Sequence, residues 1–249
     1  MNQARSFTIG NQRVTIHHAG SVANRNVITQ CFVDQQYEIL ETGVNYRLVV
    51  RSYYGRIVAQ GGTPLITDAG ADIGAAALWF RATYPKTMIV AVEPAADNFK
   101  RLRVNCTGPG FDTKEAAFGP LDGQTIMTDP GASADFYWTG VEGSLGYTVP
   151  VISVATILRQ YPGVVPFILK IDIEGGEKRL LDGDTTALAE FPLVAVEPHD
   201  WMLPGQGTAL GCFKFHTEAK RDFCYHRENV FSLDYVKLVE VVPVYRTGC

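Results

Sequence analysis

Residues 64–74 read PLITDAGADIG, an apolar run that ends on Asp68 and then alternates Gly70, Asp72 and Gly74. A strand, a tight glycine turn and a helix start therefore follow one another, the arrangement with which an α/β domain opens a cofactor site. The next apolar run, MIVAVEP at 88–94, closes on Glu93, 23 residues after Gly70. An acid at that distance can accept hydrogen bonds from both hydroxyls of a ribose lying across the strand ends. The two segments together predict a binder of an adenosine-containing cofactor.

The glycine pattern argues against a dinucleotide. A pyrophosphate-binding turn is usually GxGxxG, with backbone N–H groups and a helix N-terminus meeting two phosphates. Here Asp72 sits in the turn itself and would repel a pyrophosphate. S-adenosylmethionine has a cationic sulfonium and amino group and no phosphate, so its charge suits an acid-rich turn. A P-loop is excluded because no GK[ST] follows the glycines. A plain strand-to-helix turn would also explain GADIG, but not the later acid at ribose distance.

A chain of 249 residues with 46% hydrophobic and 19% charged residues has the composition of a soluble enzyme and can bury a full-sized core. The start lacks a basic region followed by a long apolar segment, and no apolar run reaches membrane-spanning length, so no membrane partner and a cytoplasmic location are expected. The net charge is −4 and the basic residues are scattered, which disfavours nucleic acid as a partner. Cysteines at 31, 106, 212, 224 and 249 form no CxxC. Cys212, His216, Cys224 and His226 fall close together, yet their spacing fits no common zinc pattern and reads as ordinary packing.

Residues 1–62 read as strands and a helix preceding the core: FTIGNQRVTIHH and NVITQCFVD as short strands, YRLVVRSYYGRIVAQGG as a helix ending at Gly61-Gly62. Residues 63–249 read as the cofactor domain. Helices are expected over 73–85 and 95–105, and a third strand around DTKEAAF. Near-continuous apolar strands between amphipathic helices imply a parallel sheet covered on both faces. Residues 120–147 are rich in Gly, Ser and Asp without sustained periodicity, which suggests a lid or substrate loop carrying Tyr137 and Trp138. Near the end, DFCYHRENVFSLD and YVKLVEVVPVY are expected to pair antiparallel and join the sheet.

Two further strands end in acids. FILKIDIEGGE places Asp172 and Glu174 just beyond its apolar run, and PLVAVEPHDW ends in Glu197, His199 and Asp200. Asp172 is the first candidate for taking the acceptor's proton; His199, with an ordinary pKa of about 6.5, is its rival. Glu174, Asp200 and the aromatic Trp201 join Tyr137 and Trp138 as candidate substrate contacts. Asp172 and Glu197, with His199, also read as hard ligands for Mg²⁺, although each acid can equally cap a helix or meet cofactor and substrate directly.

TDAGADIG, AVEPAADNFKRLRVN, LKIDIEGGEKRLLDG and VAVEPH resemble the FkbM family of S-adenosylmethionine-dependent methyltransferases over roughly residues 65–200, and NVITQCFVDQQYEI is similar to the segment that precedes the core there. KIDIEGGE is the most specific of these pieces. The resemblance implies a class I methyltransferase fold, a Rossmann-like sandwich with a seven-stranded, mostly parallel sheet and an antiparallel C-terminal strand. It implies methyl transfer to a hydroxyl oxygen of a small or medium-sized metabolite. It also places Asp68, Gly70, Asp72 and Gly74 around the amino-acid end of the cofactor and Glu93 on its ribose. Asp72 stands where such proteins often have Asn, and Gly176 where they often have Ala or Phe. A noncatalytic binding or assembly protein on the same scaffold, and an NAD-dependent oxidoreductase, are the alternative classes.

Overall fold

The computed structural model describes residues 3–39, 45–128, 138–139 and 146–240. A hairpin of β1 (Gln3–Ile9) and β2 (Gln12–His18) leads into α1 (Val22–Phe32) and α2 (Tyr46–Ala59). The α/β rhythm then starts with β3 (Thr63–Ala69), α3 (Ala75–Thr83), β4 (Met88–Val92), α4 (Ala96–Asn105) and β5 (Phe111–Lys114). Next come the strands of a second sheet: β6 (Ala117–Gly119), β7 (Gly123–Thr128), β8 (Trp138–Thr139) and β9 (Gly146–Ser153). The chain returns to the first sheet through α5 (Val154–Gln160), β10 (Val164–Ile171), α6 (Glu177–Leu181), α7 (Thr186–Ala189) and β11 (Leu193–Val196). It closes with α8 (Thr208–Glu218), β12 (Asp222–His226), β13 (Asn229–Leu233) and α9 (Tyr235–Val239).

The central sheet has seven strands in the order β12-β13-β11-β10-β3-β4-β5. Strands β11, β10, β3, β4 and β5 run parallel, and β13 is antiparallel to both its neighbours. This is a Rossmann-like α/β sandwich, as the apolar strands predict. Its middle strands are buried on both faces, so two hydrophobic layers form. In the first, Phe167 of β10 packs edge-on to Tyr84 at 5.0 Å between ring centroids and lies 6.2 Å from Tyr53 of α2. Val14, Ile16, Ile28 and Phe32 belong to this same layer, so the residues before β3 share the core of the sheet.

Four expectations are corrected. NVITQCFVD is not a strand: it lies largely in α1, which Ser21 caps by accepting the Asn24 amide, and which buries Asn24, Ile28, Cys31 and Phe32 at helical spacing. The closing hairpin forms within 222–233, because Arg227 adopts a φ of +55° and lets β12 turn directly into β13. Residues 235–239 are helical, with Asp234 accepting the Lys237 amide at the helix start. DTKEAAF divides between β5 and β6, which belong to different sheets. Finally, 120–147 is not without regular structure, since β7 pairs with β9 from Gly123 to Thr128. Of the suggested lid, 129–137 and 140–145 lie outside the described residues.

Candidate functional site

The acids after β3, β4, β10 and β11 meet over the carboxyl ends of these parallel strands, where such sheets bind ligands. A cavity of about 440 Å³ opens there, with Gly70, Asp72, Glu93, Asp172, Glu174 and Glu197 in its wall. By the strands that carry them, its lining residues fall into two halves: Gly70, Asp72, Glu93, Pro94 and Asn98 follow β3 and β4, while Asp172, Glu174, Glu197, His199 and Trp201 follow β10 and β11. Helix α1 contributes Asn26 and Gln30, and Gln30 reaches across to donate to Glu228 at 3.2 Å.

The first half is built by the turn after β3. Gly70 has a φ of +75°, and a Cβ there would lie 1.7 Å from the Asp172 carbonyl oxygen, so the turn after β3 and the end of β10 approach backbone to backbone with no room for a side chain at this position. Asp72 has a φ of +47°, an uncommon conformation outside glycine that Asp tolerates better than most residues. Its N–H donates to Glu93 Oε2 at 2.9 Å, and the Ala95 N–H donates to Oε1 at 2.8 Å. Glu93 is thereby fixed with one amide on each oxygen. Burial, and secondarily the charge of Asp72, raise its carboxyl to about 8. Burial also raises Asp72 to about 6, against the hydrogen bond it accepts from the Ile73 amide. Two carboxyls held in this way favour a ligand that brings positive charge and hydroxyl donors. The sulfonium, amino group and ribose of S-adenosylmethionine answer that description, so the residues fit this cofactor.

Asp68 and Gly74 occupy different places. Asp68 is fully buried beneath the turn, where the Lys170 ammonium stands 3.1 Å from Oδ1. Gly74, at a φ of +89°, begins α3, and a Cβ there would meet Cys106 Sγ at 2.8 Å and Leu102 at 2.9 Å. It serves the packing of α4 against the turn, and neither residue lines the cavity.

The second half centres on His199. Its Nδ1 lies 3.0 Å from Glu177 Oε1, which also accepts the Ile173 amide at 2.9 Å. Its Nε2 faces Glu174 at 3.4 Å, Asp172 at 3.6 Å and Glu197 at 3.8 Å. Burial alone would lower this histidine, but the bond to Glu177 and the surrounding carboxylates raise it to about 9, so it is an imidazolium at neutral pH. A histidine already carrying both protons cannot accept another. Burial, and then the charge of Asp172, push Glu174 and Glu197 upward. Asp172 is pinned from below by Lys170 at 3.2 Å. That lysine is 2% exposed and also donates to the Gly70 carbonyl at 2.6 Å, tying the two halves together.

Ligand atoms of Asp172, Glu174 and His199 lie within 4.8 Å of one another, a geometry open to a metal ion, with Glu174 in the place the sequence reading gave to Glu197. Cys212, His216, Cys224 and His226 form no such group among the described residues. Trp201 lines the cavity and is 65% exposed. Asp200 does not line it: its Oδ1 accepts the Thr208 hydroxyl at 2.6 Å and the Ala209 amide at 3.1 Å, holding the start of α8. Tyr137 lies outside the described residues, and of Trp138 only its place in β8 is described. Lys170, Glu177 and α1 enter the site without having been singled out. A lone lysine inside the apolar run FILKI was the available signal, since a buried lysine must be paired.

Among the described residues, no helix is long and apolar enough to cross a membrane. The hexuronic acid methyltransferase AglP of Haloferax volcanii is 28% identical over 149 residues, which are 59% of this chain and 60% of that protein. The matched region thus spans less than two thirds of that relative. A caffeoyl-CoA O-methyltransferase structure from Staphylococcus aureus, itself described as putative, superposes at a TM-score of 0.42 with 9% identity, over 87% of this chain and 93% of that one. The O-methyltransferase TomG from Streptomyces achromogenes does so at 0.40 with 12% identity, over 86% and 89%. Likenesses this distant define neither substrate nor mechanism. Residues 68–231, most of the chain, match the methyltransferase FkbM domain, and the protein belongs to this family of S-adenosylmethionine-dependent methyltransferases.

Proposed function

We propose that the protein methylates a hydroxyl oxygen of a small or medium-sized metabolite. The observation that carries this reading is the continuity of the cavity: the Gly70–Asp72–Glu93 half opens directly onto a second half rich in carboxylates with Trp201 at its rim. When bound, S-adenosylmethionine supplies a methyl group already activated by its sulfonium. The chain's task is then to hold the acceptor in line and accept its proton.

Glu93 would hold the ribose hydroxyls, with Gly70 and Asp72 beside the amino-acid end. Glu174, in its ionised form, takes the proton that the acceptor hydroxyl releases. It lines the cavity, its backbone is held at a φ of +51°, and burial beside Asp172 increases its hold on a proton. Asp172 is engaged otherwise, keeping Lys170 and His199 in place. His199 neutralises part of the carboxylate cluster.

Incubation with methyl-labelled S-adenosylmethionine and a panel of polyols, sugars and phenols, read by mass spectrometry, tests the assignment. Label on oxygen is expected, with Glu174→Gln slowing the single-turnover rate about 100-fold or more. Label found only on nitrogen or carbon, or a full rate in that variant, would reject the corresponding part.

A further inference from the structure

The half of the cavity facing the acceptor holds more acids than cations, with His199 as its one positive group among the described residues. Asp172, Glu174, Glu197 and Glu228 line it, and the whole cavity wall contains no lysine or arginine among the described residues. Lys170 lies below the floor with its ammonium committed to Asp68, Asp172 and the Gly70 carbonyl. The stretch from 115 to 158, whose β7 brings Met127 to the cavity, contains no lysine or arginine at all. Apart from His199, which Asp172, Glu174, Glu177 and Glu197 already face, nothing in the described wall would pair with a carboxylate or phosphate on the acceptor.

A second observation points to a positively charged donor. Glu197 is 8% exposed and lines the cavity, yet its carboxylate accepts no hydrogen bond from any described residue; the nearest cation is His199 Nε2 at 3.8 Å. A carboxyl set this deep in the cavity wall without a hydrogen-bond donor is costly to ionise, and a ligand ammonium supplies the missing donors. Trp201 at the rim offers an aromatic face of the kind that attracts cations.

We propose that the acceptor carries an ammonium group beside the hydroxyl to be methylated, held by Glu197 with Trp201 at the rim, and that carboxylate-bearing acceptors are rejected. This rests on the methyltransferase reading above. The ammonium retains its proton among these carboxylates and so offers no lone pair, which leaves the neighbouring hydroxyl as the nucleophile. The cavity thus favours a different class from the hexuronic acid in the name of the Haloferax relative.

Glucosamine, glucose and glucuronate form a matched set of cation, neutral and anion. Each is titrated calorimetrically, at one pH and ionic strength, into the full chain saturated with S-adenosylhomocysteine. Glucosamine should bind at least about tenfold more tightly than glucose, and glucuronate more weakly than both. Glu197→Gln should bring glucosamine close to glucose, with its own titration of S-adenosylhomocysteine as the folding control. Equal binding of glucosamine and glucose, tighter binding of glucuronate, no binding of glucosamine to the loaded protein, or an undiminished preference in the folded Glu197→Gln variant would each overturn the proposal. Failure to bind S-adenosylhomocysteine at all would instead overturn the function on which it rests.

Discussion

Replacing Glu93 by Gln probes the cofactor half with little change in shape. In the native chain the Asp72 and Ala95 amides donate to its two oxygens at 2.9 and 2.8 Å. Glutamine keeps one acceptor and turns its NH₂ toward the other amide, so one hydrogen bond becomes a contact between two donors. Above about pH 8, where Glu93 is ionised, hydrogen bonds to this charged acceptor contribute about 1.5–3 kcal/mol, and the ribose hydroxyls lose their anionic acceptor as well. Affinity for S-adenosylmethionine should fall about 10- to 100-fold. Stability should move much less. Burial raises the Glu93 carboxyl from 4.5 to about 8, which corresponds to a cost on the order of 3 kcal/mol at pH 7. Glutamine carries no such cost, and this offsets the lost bond, so the thermal midpoint should stay within about 5 °C of the wild type. Isothermal titration and melts on the same preparation read both quantities. An unchanged affinity, or an affinity lost only because the fold collapses, would refute the reasoning.

Lys170→Met should destabilise the protein by about 3–5 kcal/mol in urea titrations, because Asp68 is left as an uncompensated buried charge; adding Asp68→Asn should recover much of the loss. The site also sets a pH dependence. Glu93 binds its proton more tightly in the folded state, so its contribution is full below about 4.5 and is lost as the pH rises through about 8. The melting temperature of the cofactor-free protein should therefore decline across that window, and saturating S-adenosylmethionine should flatten the decline; a midpoint rising from pH 5 to 8 would contradict it. Methyl transfer should survive EDTA treatment, since His199 and Lys170 already offset part of the charge on Asp172 and Glu174; activity lost on chelation and restored by Mg²⁺ would place a metal at Asp172, Glu174 and His199.

The sheet was legible because its central strands are short apolar runs each ended by an acid; of those acids Glu93, Asp172 and Glu197 reach the cavity, while Asp68 is buried beneath the turn. Helix α1 was not legible as a helix. Val27, Ile28 and Val33 give the segment the look of a strand, and its helical face shows only when Asn24 is counted with Ile28, Cys31 and Phe32. The β12–β13 turn carries Arg227 and Glu228 in place of the Asn-Gly or Asp-Gly that marks most two-residue hairpins. At the site, residue type and strand position identified the acids without saying where each points. Asp200 and Glu174 both follow apolar strands, yet one holds a helix start and the other lines the cavity. The ionisation of His199 depends on Glu177, brought to it by a helix that begins 22 residues earlier in the chain.

A crystal structure with S-adenosylhomocysteine bound tests the central claim most directly. The ribose hydroxyls should lie on the Glu93 carboxylate, the amino-acid end beside Gly70 and Asp72, and the sulfur should face the half lined by Asp172, Glu174 and Glu197. A nucleoside bound elsewhere, or a sulfur turned away from those carboxylates, would contradict the account.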